Sequence, residues 1–386
     1  MEQFCHDLGM NGSIPAGGAS RRSLNERRRA LLWFRARGRG GCPSGESPRP
    51  ATALRATLGA LALTLALGGL RAQDPAFTQF PALPMLWNPA FAGYGQGTEI
   101  TAVFRDQWPS APQAYVTYGA AVSHSAPALQ SGFGALVLGD RQGDGAFNTH
   151  RLLGAYAFAV PLGRRGAIRA GLSAEVAQRA LRWDQLRFFD QIDPVYGFSD
   201  AAGVPNPTAQ VPPGRNGLWW FDAHAGVLVH SRTLYAGLSV LHLPAPNTAF
   251  YEGATDRVPR AFSAQAGARL PLGRPDRELP NVFAPRLVYH QQGPFRQAQA
   301  TLRFGLGPLV AGAGFRHAFG NADALLAEAG WRQAAFSAVY SYDAAVGPAA
   351  GISGGAHEIS LGWRLGTDAP RERRIRLGES LECPVF

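Results

Sequence analysis

Ala167-Ile168-Arg169-Ala170-Gly171-Leu172-Ser173-Ala174-Glu175-Val176 is the stretch that decides the fold. Ile168, Ala170, Leu172, Ala174 and Val176 fall on one side of an extended chain, and Arg169, Gly171, Ser173 and Glu175 on the other. Successive side chains of a strand point to opposite faces, so this is a strand with one apolar face and one small or charged face. The pattern returns in 262–270, where Phe262, Ala264, Ala266, Ala268 and Leu270 oppose Ser263, Gln265, Gly267 and Arg269. It returns again in 297–304, and in 357–365, where His357, Ile359, Leu361, Trp363 and Leu365 oppose Glu358, Ser360, Gly362 and Arg364.

A soluble sandwich alternates too, so the solvent must be read from strand length and number. Fourteen strands are predicted, at about 97–106, 113–124, 131–139, 146–160, 166–180, 216–230, 232–242, 260–270, 281–290, 296–304, 308–317, 323–331, 334–343 and 355–365. Most exceed the ~5–6 residues usual in globular sheets and approach the ~9–11 that cross an outer membrane. The long connections, 181–215, 243–259 and 344–354, all follow odd-numbered strands. An up-and-down membrane barrel has short turns at one rim and long loops at the other; a Greek-key sandwich has no such parity. Lipid cannot satisfy an open sheet edge, so the sheet must close. The expected fold is all-β: a closed antiparallel up-and-down transmembrane β-barrel of about fourteen strands, spanning 97–365. Phe104, Trp108, Trp183, Trp219, Trp220, Phe221, Trp331 and Trp363, mostly toward strand ends, suit an interfacial girdle.

Composition agrees. Charged residues are 17% of the 386, and the 47 glycines are about 12% against a usual ~7%. No apolar run of ~18 residues lies beyond the N-terminal segment, which excludes a polytopic helical protein. The net charge of +10 suggests nucleic acid only until it is located: eleven arginines against four acidic residues lie before Gln73. The remainder is close to balanced, and no nucleic-acid partner is expected. Residues 1–55 form an Arg-rich leader, of which 1–48 read as a start codon assigned too early. Residues 56–72 carry a short apolar run ending at Ala72, which reads as a signal peptide with a mature start near Gln73. The Pro-rich stretch 73–96 is too broken for a strand and is expected below the barrel or in its mouth. The charged tail 366–386 is expected in the periplasm, where Arg371, Arg373, Arg374 and Arg376 offer a basic patch.

Five motifs stand in order along the mature chain. They are Gln73-Asp74-Pro75-Ala76-Phe77-Thr78-Gln79-Phe80, then Asn88-Pro89-Ala90-Phe91-Ala92-Gly93, then Phe104-Arg105-Asp106-Gln107-Trp108. Ser341-Tyr342-Asp343 with Gly354-Gly355-Ala356-His357-Glu358-Ile359-Ser360-Leu361 follows, and Glu382-Cys383-Pro384-Val385-Phe386 closes the set. Together they resemble the PorP/SprF family of type IX secretion system outer-membrane proteins of the Bacteroidetes, over nearly all of 73–386. The resemblance implies an integral barrel of the cell outer membrane, in contact with its lipid. It implies a non-enzymatic part in secretion or gliding, with other secretion components in the periplasm and outer membrane and secreted cell-surface cargo as partners. The long leader and the absence of lysine depart from the family without touching the motifs.

The residues themselves suggest structural roles. Asn88-Pro89 starts a turn and Gly93 breaks the chain before the first strand. Trp108 sits at a strand end suited to headgroup anchoring, with Arg105 snorkelling or pairing with an acid such as Asp106. Closure sets Arg105 beside the last strand, where Glu358 is expected to meet an arginine across the seam.

No enzyme constellation stands out. Asp222 and His224 share a strand face at i, i+2, but nothing ties them to a nucleophile. His357 and Glu358 are adjacent and so point to opposite faces. Gly139–Gly145 has an Asp/Gly-rich look without calcium-loop spacing. No catalytic, cofactor or metal site is expected, and a surface hydrolase is the least supported reading. The alternative kept is a general porin or small-molecule uptake barrel, with lumenal Arg169, Arg269 and Arg303 favouring anions.

Overall fold

The computed structural model describes residues 74–366, apart from 112–114, 164, 274–278, 320 and 347–353. The leader 1–55, the apolar segment 56–72, Gln73 and the tail beyond Gly366, with Cys383, Pro384 and Phe386, lie outside the described residues.

Strand segments run β1 (Thr98–Gln107), β2 (Tyr115–Ala126), β3 (Ser131–Gln142), β4 (Phe147–Leu162), β5 (Gly166–Leu181), β6 (Gly217–Ser231), β7 (Leu234–Leu241) and β8 (Ala261–Ala268). They continue as β9 (Leu270–Leu272), β10 (Asn281–Gln292), β11 (Phe295–Leu306), β12 (Leu309–Ala318), β13 (Asn321–Arg332), β14 (Phe336–Ala345) and β15 (Ala356–Leu365). β8 and β9 both pair with β10 and are two pieces of one stave, interrupted at Arg269. Among the described residues this makes fourteen antiparallel staves, each beside its neighbour in the chain. β15 returns to β1, with Thr98 opposite Leu365 and Gln107 opposite Ala356. The sheet is closed, and no edge is left for lipid.

The fourteen staves fall where the alternation puts them. The exception in detail is the stave at 260–270. Its break at Arg269, whose backbone N–H bonds Thr233 O at 2.7 Å, leaves Ala268 buried instead of on the apolar outer face. Exposed and buried residues alternate most clearly along β4 and β5. The outward residues are apolar: Leu172 is 64% exposed and Trp219 71%. On a soluble protein this would be a severe liability; around a barrel it is the lipid-facing band.

The long connections 182–216 and 242–260, with the β14 end at Ala345 and the β15 start at Ala356, lie on one rim, and turns such as 232–233 and 307–308 on the other. These are called the long-loop and short-turn rims below.

Residues 74–97 run through the barrel, not below it. Asp74 meets His242, just past β7, and Gln292, the last residue of β10, so the segment starts near the long-loop rim. Gly93 abuts His124 and Gly132 near the short-turn rim, where β1 begins. Between them stand three short helical turns, Phe80–Ala82, Pro84–Trp87 and Pro89–Phe91. Pro84 and Pro89 sit at first helical positions, where the missing N–H costs nothing. Phe77, Phe80, Leu83, Met85, Leu86, Trp87 and Phe91 pack on lumenal Leu136, Leu138, Leu153 and Leu228. The hydrophobic core of this membrane protein is therefore inside its barrel. Each such large side chain removed from water contributes about 1.5–3 kcal/mol.

Wall glycines make the close approach possible. A Cβ on Gly171 would lie 2.2 Å from Ala90 N, and one on Gly132 2.0 Å from Ala92 O. The lumenal segment lies backbone to backbone on β3 and β5, and any larger residue would push it away.

Candidate functional site

The lumenal face binds the 74–97 segment through three groups of polar side chains. The first lies at the seam. Arg105 on β1 and Glu358 on β15 are register partners, and their side chains pair at 3.0 Å. Arg105 also pairs with Asp343 on β14 at 2.8 Å, and Arg316 on β12 reaches the same carboxylate at 2.9 Å. The segment completes the group. Thr78 N–H and Gln79 N–H donate to the two Glu358 oxygens at 2.8 and 2.9 Å. Thr78 Oγ1 donates to Asp343 Oδ1 at 2.5 Å and accepts from Arg105 at 2.9 Å. Gln79 Nε2 donates to Val339 O, Ser341 Oγ and Glu358 O, and Ser360 Oγ donates to Gln79 Oε1 at 2.5 Å. Arg105, expected at the headgroups or paired with Asp106, is instead 1% exposed inside the lumen. The reason is the pleat: Phe104 takes the lipid-facing position, so Arg105 must face in.

The second group surrounds Asp74. Its carboxylate meets His242 Nε2 at 2.7 Å and Arg151 Nη1 at 3.3 Å. His242 Nδ1 meets Asp222 Oδ2 at 2.5 Å, and Arg151 Nε meets Glu175 Oε1 at 2.8 Å. Burial alone would raise the Asp74 carboxyl, but the His242 and Arg151 charges outweigh it and hold the group well below the usual range. Burial likewise pulls the His242 imidazole down, yet the Asp74 charge and the Asp222 hydrogen bond win and raise it to about 9. An imidazolium clamped between two carboxylates is the result.

Asp222, His224 and His242 bring ligand atoms within 4.8 Å of one another, close enough to hold a metal ion. Their chemistry here is otherwise committed. Both His242 ring nitrogens face carboxylates, and its backbone N–H donates to His224 Nδ1 at 3.0 Å. A cation would have to displace these bonds, so the set is a tether for Asp74.

The third group holds the lower turns. Asn88 Nδ2 donates to Val227 O, Leu238 O and Gln265 Oε1, while its Oδ1 accepts Ala90 N–H at 2.9 Å. Arg169 donates to Ala90 O and Ala92 O, with its guanidinium 5.8 Å from the Tyr94 ring centre. Gly93 N–H donates to Ser123 Oγ.

Of the motif residues, Asp74, Asn88, Arg105, Asp343 and Glu358 meet in or around these groups. Pro89 opens a helical turn, and Gly93 takes a left-handed conformation at φ 59°. Gln107 ends β1 and Trp108 follows it. Trp108 also has φ 62°, is held by its N–H to Gly355 O at 2.8 Å, and packs edge-on against Tyr115. Tyr342 and His357 face outward beside each other at 5.0 Å, and His357 Nδ1 bonds Tyr340 Oη at 2.8 Å.

The PorP/SprF pattern, described as a type IX secretion system membrane protein, matches residues 70–363. The chain belongs to the PorP/SprF family. That family and the closed barrel place the protein in the outer membrane as a membrane component of type IX secretion. No curated protein matches the chain. Among solved structures it is similar to the toluene transporter TbuX of Ralstonia pickettii: 10% identity, 76% of this chain and 96% of that one covered, TM-score 0.42. It is also similar to CdiB of Acinetobacter baumannii, with 8% identity, 69% and 60% covered and TM-score 0.37. The translocator domain of the autotransporter NalP of Neisseria meningitidis gives 10%, 82% and 98%, and 0.27.

The PorP/SprF motifs did not reveal Thr78 and Gln79 as ligands of Glu358, nor Arg151, Glu175 and His242 around Asp74. A usable signal existed for part of this: Arg151, Glu175, Asp222 and His224 all occupy the polar face of alternating strands.

Proposed function

We propose that this PorP/SprF protein is a closed, non-enzymatic platform. It assists secretion or surface anchoring of cargo proteins by holding secretion components on its periplasmic side and cargo on its outer side. The observation that carries this reading is the segment 74–97, which occupies the lumen from one rim to the other and is bound there by the buried Glu358 carboxylate and by the Asp74–His242 pair. A porin needs that space for solute, so the uptake alternative loses ground.

Outer-membrane barrels turn short connections to the periplasm and long loops outward. On that rule the loop 182–216 is external. It is pinned by its own bonds: Asp190 accepts from Thr208 and Ala209, Asn206 exchanges bonds with Gln191, and Tyr251 from the neighbouring loop donates to Val211 O. It still exposes Val195, Tyr196, Val204 and Val211. An ordered loop with exposed apolar side chains suits a protein partner better than a small solute.

Two measurements test the reading. Purified protein in planar bilayers is expected to stay closed, and tagged protein drawn from outer membranes is expected to bring down periplasmic secretion proteins together with a secreted surface protein. A steady open channel, or a pull-down without secretion components, overturns it.

A further inference from the structure

The internal segment meets the wall in two ways. Against β3 and β5 it lies backbone to backbone, with Ala92 on Gly132 and Ala90 on Gly171. Against β10 and β11 it leaves a gap. Phe77, Phe80 and Trp87 of the segment, with Val288, His290 and Gln299 of the wall, border a cavity of about 10 Å³. A space of that size admits one water molecule and no organic solute.

The polar atoms around the cavity decide what it takes. Trp87 and His290 are 7% and 6% exposed, and their rings stand edge to face with centres 5.2 Å apart. Trp87 Nε1 and His290 Nδ1 are both buried, and no described protein group makes a hydrogen bond to either. The neighbouring amide is committed elsewhere, since Gln299 Nε2 donates to Thr78 O at 2.7 Å. An indole N–H can only donate, so Trp87 needs an acceptor. A neutral imidazole accepts at one ring nitrogen and donates at the other, so His290 Nδ1 needs a donor in one tautomer and an acceptor in the other. Water meets Trp87 and either tautomer of His290. A cation would face the indole N–H, and an anion would be stripped of solvent among Phe77, Phe80 and Val288 with no arginine lining the cavity. Buried polar atoms without a protein partner are satisfied by ordered water where a cavity is polar and large enough.

We propose that one water molecule is a fixed part of the lumen, bridging Trp87 Nε1 on the internal segment and His290 Nδ1 on β10. The segment is then dry on its β3–β5 flank, where packing alone holds it, and wet on its β10–β11 flank, where a hydrogen-bonded bridge does. Trp87 and His290 act as a pair through the water, and removing either leaves the other nitrogen short of its bridge.

A crystal structure of the full-length protein, at a resolution that shows solvent, is expected to hold one solvent peak about 2.7–3.2 Å from both nitrogens. Water magnetic relaxation dispersion, which counts long-lived internal waters, is expected to lose one water in the double variant Trp87→Phe, His290→Leu, because a cavity stripped of polar atoms stays dry. Urea midpoints are expected to be non-additive. Each single variant orphans one nitrogen and the double variant orphans none, so the double drop is smaller than the sum of the single drops. Heat-modifiable gel mobility checks that each variant folds, and the native crystal structure decides the matter if one does not. A cavity without a solvent peak, or a peak bonded to only one of the two nitrogens, overturns the proposal. So does an unchanged water count in the folded double variant, and so do strictly additive midpoints.

Discussion

The two ends of the lumen are opposites. Near the long loops, acids outnumber or match the bases: Asp74, Asp222, Glu175, Asp343 and Glu358 surround Arg105, Arg151, Arg316 and His242, and the N-terminal segment supplies backbone N–H groups to finish the pairs. Near the short turns, the pairs Arg303–Glu328 and Arg364–Glu99 join wall to wall, and the segment is held by Arg169 on the Ala90 and Ala92 carbonyls and by close contact with Gly132. The first end is a completed lock. The second is a seat of backbone carbonyls and close contact. Buried charge is tolerated only when paired and hydrogen-bonded, so breaking the first end leaves an orphaned charge, while breaking the second loses packing.

The sharpest way to break the first end is Glu358→Gln. It removes a buried charge from Arg105 and weakens the bonds to Thr78 and Gln79. Loss of one partner of a buried pair costs about 3–5 kcal/mol, and the urea midpoint followed by gel mobility should drop accordingly. A replacement that leaves the midpoint unchanged removes the seam group from the account. Next is Gly171→Leu. Its side chain must occupy the place of Ala90, and overpacking of this kind costs about 1–3 kcal/mol. Bilayer conductance should then appear where the native protein is expected to show none.

The pH response sharpens the comparison. The His242 pKa is raised from 6.5 to about 9, so its contribution is complete below about pH 6.5 and is lost as pH rises through about 9. The Asp74 pKa is lowered, so its contribution is present above about 3.8 and is lost only as pH falls below that. Proteolysis near residue 74 should therefore accelerate on the alkaline side, and His242→Gln should flatten that limb. The smallest effect belongs to the other end: Arg364→Ala breaks a pair whose arginine side chain is 44% exposed, and exposed pairs contribute about 0–1 kcal/mol.

The barrel was legible because its signal is repeated. Each strand restates the period of two, and lipid forces the apolar face outward and the edges to close. The lumenal segment was not legible, because 74–97 has no period, and what binds it is spread over strands from β1 to β15 and the loop after β7. Nothing at Thr78 or Gln79 announces a partner some 280 residues away. Arg105 shows the limit from the other side: its pairing with Glu358 follows from closure, while its burial with Thr78 and Asp343 needs the segment in place.

Joining Thr78 to Glu358 also has a kinetic meaning. The contact closes a loop of about 280 residues, and it fastens the first turn of the internal segment to the last stave. Such distant contacts form late, since ordering the intervening chain must come first. Until they form, the β1 and β15 edges stay unpaired and Arg105 has no carboxylate. Zipping the seam and seating the N-terminal segment are thus a single final event, and a chain stalled before it presents two bare strand edges to its neighbours.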